Sequence, residues 1–150
     1  MKKILSPRSL AAAASPRGLK DAGVKALAEA LDIISLKGGD PLREPWLVDV
    51  DASKKYRRVA LGACPCLTRS RAGSGGFYVT NVGSRMGAEA MLKLQGQDPD
   101  RMQRPPSISK RKFQECIGNA VTATVLARVL WKLLLAIGLA DPSLPDPIAR

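Results

Sequence analysis

From residue 120 to residue 137 the chain is almost wholly apolar, with Asn119 before the run and Gly138 after it. That framing predicts one long helix, because Asn accepts from first-turn amides and Gly takes the left-handed turn that closes the last carbonyls. Arg128 and Lys132, four residues apart, share one side, and Val121, Val125, Val129 and Leu133 lie elsewhere. A membrane span needs about 20 apolar residues with few charges, and two mid-helix cations oppose it. The helix is therefore expected in the core of a folded domain, and no membrane is expected as a partner. With 45% apolar and 25% charged residues, the chain has the material for such a core.

Histidine is absent, which removes Ser/His/Asp and Cys/His triads and the usual neutral-pH base. Three cysteines, Cys64, Cys66 and Cys116, make neither a disulfide framework nor a four-thiolate metal site. No metal is expected, and the thiols fit a reduced, intracellular setting. Lys and Arg number 24 against 13 acids, giving +11 and a pI near 10.1. A surplus of that size points to a polyanion, since each cation that neutralises a phosphate releases counterion. The surplus is spread over both halves, and the few aromatics do not make a stacking platform for single strands.

Residues 1–20 hold five cations and no acid, a basic flexible arm whose composition also suits organelle targeting. Val24, Leu27, Ala28, Leu31 and Ile34 follow helical spacing, with Asp21 as N-cap and Gly38-Gly39-Asp40-Pro41 as the stop. Residues 46–50 read as a strand, and Leu67 and residues 77–80 as two more around the loop Gly73-Ser74-Gly75-Gly76. Residues 87–94 are helical and Gly96 stops them. A proline-bearing connector leads to a helix over residues 110–117, capped by Ser107 or Ser109. Residues 139–150, with three prolines, form a flexible tail.

The glycine loop has neither the spacing nor the following helix of a phosphate loop. Cys64-Pro65-Cys66 offers a thiol that Arg69 and Arg71 would activate, yet no base stands by it, so an inert thiol is expected.

Three segments in order carry a resemblance. Pro65-Cys66-Leu67-Thr68, followed by the glycine loop and Phe77-Tyr78-Val79-Thr80, is similar to the P-x-L-T strand pair of DNA cytosine-5 methyltransferases. Arg85-Met86-Gly87-Ala88-Glu89-Ala90-Met91-Leu92-Lys93-Leu94-Gln95-Gly96 resembles their R-x-L-T-x-x-E-x-x-R-L-Q-G block. Ile117-Gly118-Asn119-Ala120-Val121 looks like their closing I-G-N-A/S-V motif, which opens a long apolar helix. The similarity spans residues 64–138. Gly87 and Ala90 depart from the threonine and glutamate of the middle block, and a helix starting at residue 87 lacks its side-chain cap.

The resemblance implies an α/β fold, the C-terminal fragment of a Rossmann-like methyltransferase with the end of a small target-recognition region. Residues 21–84 would be recognition-like and 85–138 the closing helices. It implies S-adenosylmethionine as cofactor, contacted at Asn119, Ala120 and Val121, where unpaired amides at a helix start suit a carboxylate. It implies DNA as partner, contacted at Thr68, Arg69 and Arg71. The family's Pro-Cys-Gln thiolate, Glu-Asn-Val glutamate and Phe-x-Gly-x-Gly loop are missing, and Cys66 sits in the P-x-L-T position. The expectation is a methyltransferase-like chain, inactive alone, with its catalytic part elsewhere, in a nuclear or other DNA-containing compartment. A basic, non-catalytic DNA-binding or accessory protein is the other reading, and an organelle-targeted structural protein a third.

Overall fold

The structure, a computed structural model, describes residues 18–146. The expected basic arm lies outside the described residues except for its last three, as do residues 147–150 of the tail.

Helix α1 (Asp21–Leu36) buries Gly23, Ala26, Leu27, Ala30, Leu31 and Ile34, a three-and-four repeat that puts one stripe inward. Lys20 is its N-cap, without a side-chain bond; Asp21, expected there, is already the first helical residue. Four two-residue strands follow: β1 (Leu47–Val48), β2 (Val59–Ala60), β3 (Tyr78–Val79) and β4 (Ser84–Arg85). A 3-10 turn, Lys54–Tyr56, lies between β1 and β2. The sheet runs β2-β1-β3-β4, antiparallel at every pairing, with Leu47 opposite both Ala60 and Val79 and Tyr78 opposite Arg85.

Strand alternation sorts two cores onto the two faces. Val48 and Tyr78 join Trp46, Val50 and the α1 stripe on one side. Leu47 and Phe77 turn to the other, where they meet Leu67, Ala72, Met91, Leu92 and Ile117. The first face closes tightly: a Cβ on Gly39 would stand 2.5 Å from the Trp46 ring, so the chain after α1 passes there only as glycine.

The second core is built by α2 (Arg69–Gly73), α3 (Gly87–Leu94) and α4 (Lys110–Asn119). The strand expected at Leu67 is instead the approach to α2, where the Thr68 hydroxyl accepts from the Arg71 amide and turns the chain into a helix. Helix α3 starts from Met86 with no side-chain cap, and Ser109 caps α4 by accepting from the Lys112 amide at 3.2 Å. The division expected between residues 84 and 85 falls inside β4.

Helix α5 (Ala123–Ala136) departs most from expectation. It buries none of its residues, and Val125, Leu126, Val129, Leu130, Leu133 and Leu134 are exposed, so it is not the core helix that its composition suggested. It is fastened near its start through residues 122–124, and Arg128 reaches Asp146 at 3.9 Å. Together with α4 it makes a helical stretch, Lys110–Ala136, that is long and apolar enough to cross a membrane by length and composition alone. Every strand pairing is antiparallel, and the described residues form a mixed unit of helices and one small sheet.

Candidate functional site

Helices α2 and α4 pack so closely that no side chain fits at Gly118. A Cβ there would stand 2.5 Å from both the Ala72 Cβ and the Thr68 carbonyl oxygen. This close approach brings the Cys64-Pro65-Cys66-Leu67-Thr68-Arg69 segment against Gly118-Asn119-Ala120-Val121-Thr122. Between them opens a cleft of about 730 Å³, with Leu94 and Gln95 forming the remaining wall. Concave sites of that size accommodate small molecules.

Gln95 holds the cleft together. Its side-chain nitrogen donates to the Ile117 carbonyl at 3.2 Å and the Ala120 carbonyl at 3.5 Å, and its side-chain oxygen accepts from the Thr122 hydroxyl at 2.7 Å. Its backbone carbonyl accepts from the Ala123 amide at 2.8 Å. One buried amide side chain thus joins the ends of α3 and α4 to the start of α5. Its place in Leu94-Gln95-Gly96 marked it in sequence as part of a motif, but nothing there gave it this role.

The cap expected from Asn119 is corrected by these bonds. Asn119 is the last residue of α4, Ala120 is extended, and α5 begins at Ala123. The glycine of the motif serves helix packing, and the amide at the head of α5 is taken by Gln95 rather than open to a ligand. Asn119, Ala120 and Val121 still line the cleft, and the exposed Asn119 side chain makes no hydrogen bond among the described residues.

Thr68 and Arg69 share that cleft, while Arg71 does not. Arg71 lines a neighbouring hollow with Thr68 and donates to Asp49 at 2.8 Å. Arg69, 63% exposed, reaches Glu115 at 3.3 Å, and Arg111 reaches the same carboxylate at 3.1 Å. The bond from Arg69 holds the Glu115 carboxyl below the usual glutamate range, with Arg111 and Lys112 adding to it. Arg71 is therefore paired within the fold, whereas Arg69 shares one carboxylate with Arg111 and Lys112 and keeps most of its surface.

Asp49 and Asp51, just after β1, are partners of the site's arginines and neighbouring side chains that sequence reasoning missed. Asp49 fixes Arg71, and Asp51 accepts from Ser74 at 2.7 Å and from Arg85 at 2.8 and 2.6 Å. Both follow the end of β1, where the chain turns, with Asp49 buried and Asp51 exposed, so no strand period marks them in the sequence.

Burial, followed by the neighbouring Cys66, pushes the Cys64 thiol up, and its Sγ donates to the Pro65 carbonyl at 3.3 Å. The activation by Arg69 and Arg71 that the sequence allowed is thus not present at Cys64. Among the described residues no group of three metal-ligating side chains forms. Searches against protein-family models, curated proteins and solved structures each return no match.

Proposed function

We propose that the chain is the closing, target-facing portion of a DNA cytosine-5 methyltransferase-like protein, dependent on S-adenosylmethionine and inactive alone. The observation that carries this reading is the shared cleft: segments 64–69 and 118–122, which resemble two separate motifs of that family, line one hollow. The cleft has the volume for the cofactor's amino-acid end, and the exposed Asn119 side-chain amide provides a donor and an acceptor there. S-adenosylmethionine, when bound, supplies an electrophilic methyl group. Thr68 and Arg69 at the rim, with Arg71 alongside, would orient DNA phosphates; Arg69 does so with its exposed face while Glu115 fixes its plane.

The chain's own residues supply neither thiolate nor base. Burial pushes the Cys64 thiol up, away from the thiolate, and the sequence has no histidine to serve as base. A segment carrying the Pro-Cys-Gln thiolate and Glu-Asn-Val carboxylate must come from elsewhere, and the bare apolar side of α5 is a surface against which it can pack. The setting is a nuclear or other DNA-containing compartment.

Photo-crosslinking of S-adenosylmethionine to the full chain, mapped by peptide mass, tests this. Label at residues 118–122 that falls when Asn119 is changed to Ala supports it. Label elsewhere, or methyl transfer to a cytosine duplex by the chain alone, refutes it. The net charge of +11 favours one rival, a basic accessory protein. Duplex binding with a steep salt dependence and no crosslinking of the methyl donor selects that rival.

A further inference from the structure

Helix α5 buries none of its residues, and its exposed apolar side chains are ordered rather than scattered. Leu126, Leu130, Leu133 and Ile137 follow one another at intervals of four, three and four, the spacing of a coiled-coil seam. Val125, Val129 and Leu134 flank that seam, and each of the seven is between 37% and 59% exposed. At about 100° per residue they take up about half of the helix circumference.

The chain's own neighbouring segments do not supply the cover. Arg128 reaches Asp146 at 3.9 Å, which brings the end of the described chain back along the helix. Arg128 lies on the side of α5 opposite the seam, so that return leaves the seam bare. Helix α4 packs into the second core through Gln114 and Ile117, and residues 121 and 122 interrupt the helix before α5 begins. Helix α5 therefore projects by itself.

Charge and area select what lies against it. At +11, two copies of the chain repel each other over most approaches. Residues 120–146 are the exception, since Arg128 and Lys132 are balanced there by Asp141 and Asp146. Two copies meet with least repulsion at this neutral end. Seven half-exposed side chains amount to roughly 600 Å² per copy, so a pair buries about 1,200 Å², which reaches the range of stable specific interfaces. The seam offers no polar group that needs a partner, and two identical seams related by a two-fold axis cover each other completely.

We propose that the chain dimerises with a second copy of itself through α5, with the two seams of Leu126, Leu130, Leu133 and Ile137 packed together. The interface does not rest on the methyltransferase reading, since no seam residue lines the cleft. A catalytic segment that packs on α5 would take the place of the second copy.

Sedimentation velocity of the full chain over a concentration series is the test. A single chain at high dilution is expected to give way to a dimer, with growth stopping at two copies. Added sodium chloride is expected to strengthen the association, because it screens repulsion between like-charged copies. Leu130→Asp places a carboxylate in the middle of the seam and is expected to abolish the dimer at every concentration. The change lowers the net charge, so added repulsion does not explain such a loss. Because α5 lies outside both cores, dilute Leu130→Asp should melt with the wild type. Val82→Asp, at an exposed apolar residue away from α5, should dimerise as the wild type does. Crosslinking of the methyl donor at residues 118–122 should be the same in Leu130→Asp, which keeps failure of the two readings apart. A single chain at every concentration, growth past two copies, or a dimer that survives Leu130→Asp overturns the proposal. So does binding to phosphatidylcholine vesicles in place of self-association, which would assign the face to a bilayer.

Discussion

Helices α1 and α5 have similar lengths, 16 and 14 residues, and both are rich in apolar side chains, yet six α1 residues are buried and no α5 residue is. The difference lies in what faces them. Helix α1 is followed by Gly39, which lets Trp46 fold beneath Ile34, and then by strands β1 and β3, whose inward residues, Val48 and Tyr78, complete the layer. Helix α5 is fastened near its head through Gln95, and its apolar side chains extend past the other helices into solvent. Apolar periodicity therefore states what a helix needs covered, and only the rest of the chain decides whether the cover is present.

The comparison breaks most visibly in the α1 core. Ile34→Ala, at a fully buried position, is expected to cost about 4 kcal/mol, since the surrounding α1 and sheet residues cannot collapse onto the space. Chemical denaturation of the two proteins reads this as a lowered midpoint. Gly118→Ala comes next. The added Cβ meets the Thr68 carbonyl as well as Ala72, and backbone cannot yield as a flexible side chain does, so about 3 kcal/mol is expected. The cleft should open at the same time, so crosslinking of the methyl donor should fall with stability. Gln95→Leu keeps the volume but leaves the Ile117 carbonyl and Thr122 hydroxyl without their partner, for about 2 kcal/mol. Hydrogen exchange at the α5 amides should quicken in that variant, because the helix loses its fastening.

The same contrast shows what was legible in the sequence. Helices α1, α3 and α4 followed from spacing and stops, and β1 and β3 from their apolar runs, because each of those signals is local. Strands β2 and β4 are two residues long and carry no period of their own; their partners define them. The approach to α2 was misjudged because Thr68 offers a hydroxyl to the Arg71 amide, which a strand does not need. The cap expected of Asn119 failed for a tertiary reason. Gly118 is required where α4 crosses α2, which draws Asn119 into α4 and delays α5 until Ala123. Of the candidate site residues, the sequence named five that share the cleft, Thr68, Arg69, Asn119, Ala120 and Val121. It could not show that Arg71 is held by Asp49, since that bond joins residues separated by a 3-10 turn and one strand.

Acid should act on the covered part of the fold. The bond from Arg57 lowers the Glu29 carboxyl and that from Arg69 lowers Glu115; at Asp51 burial raises the carboxyl, and the bonds from Arg85 and Ser74 together outweigh it, so the net shift is down. A carboxylate whose folded value is lowered binds its proton more readily when unfolded, so its stabilisation is complete above the unfolded value and fades as pH falls through the folded one. With usual values of 4.5 for Glu and 3.8 for Asp, thermal melts should be level down to about pH 5 and decline below the glutamate value. Glu29→Gln should flatten part of that decline.

The smallest expected effect sharpens the contrast most. Leu130→Ala on α5 removes as much side chain as a core truncation would, but Leu130 is 46% exposed and has no packed layer above it. Its loss should change the stability of the isolated chain by no more than about 0.5 kcal/mol, as surface substitutions generally do. A cost near that of Ile34→Ala would mean that α5 is covered in solution and that the two helices are alike after all. If α5 instead awaits a partner segment, the variant should melt like the wild type when alone. It should then bind that segment more weakly, because the apolar area lost at Leu130 counts only once something lies against it.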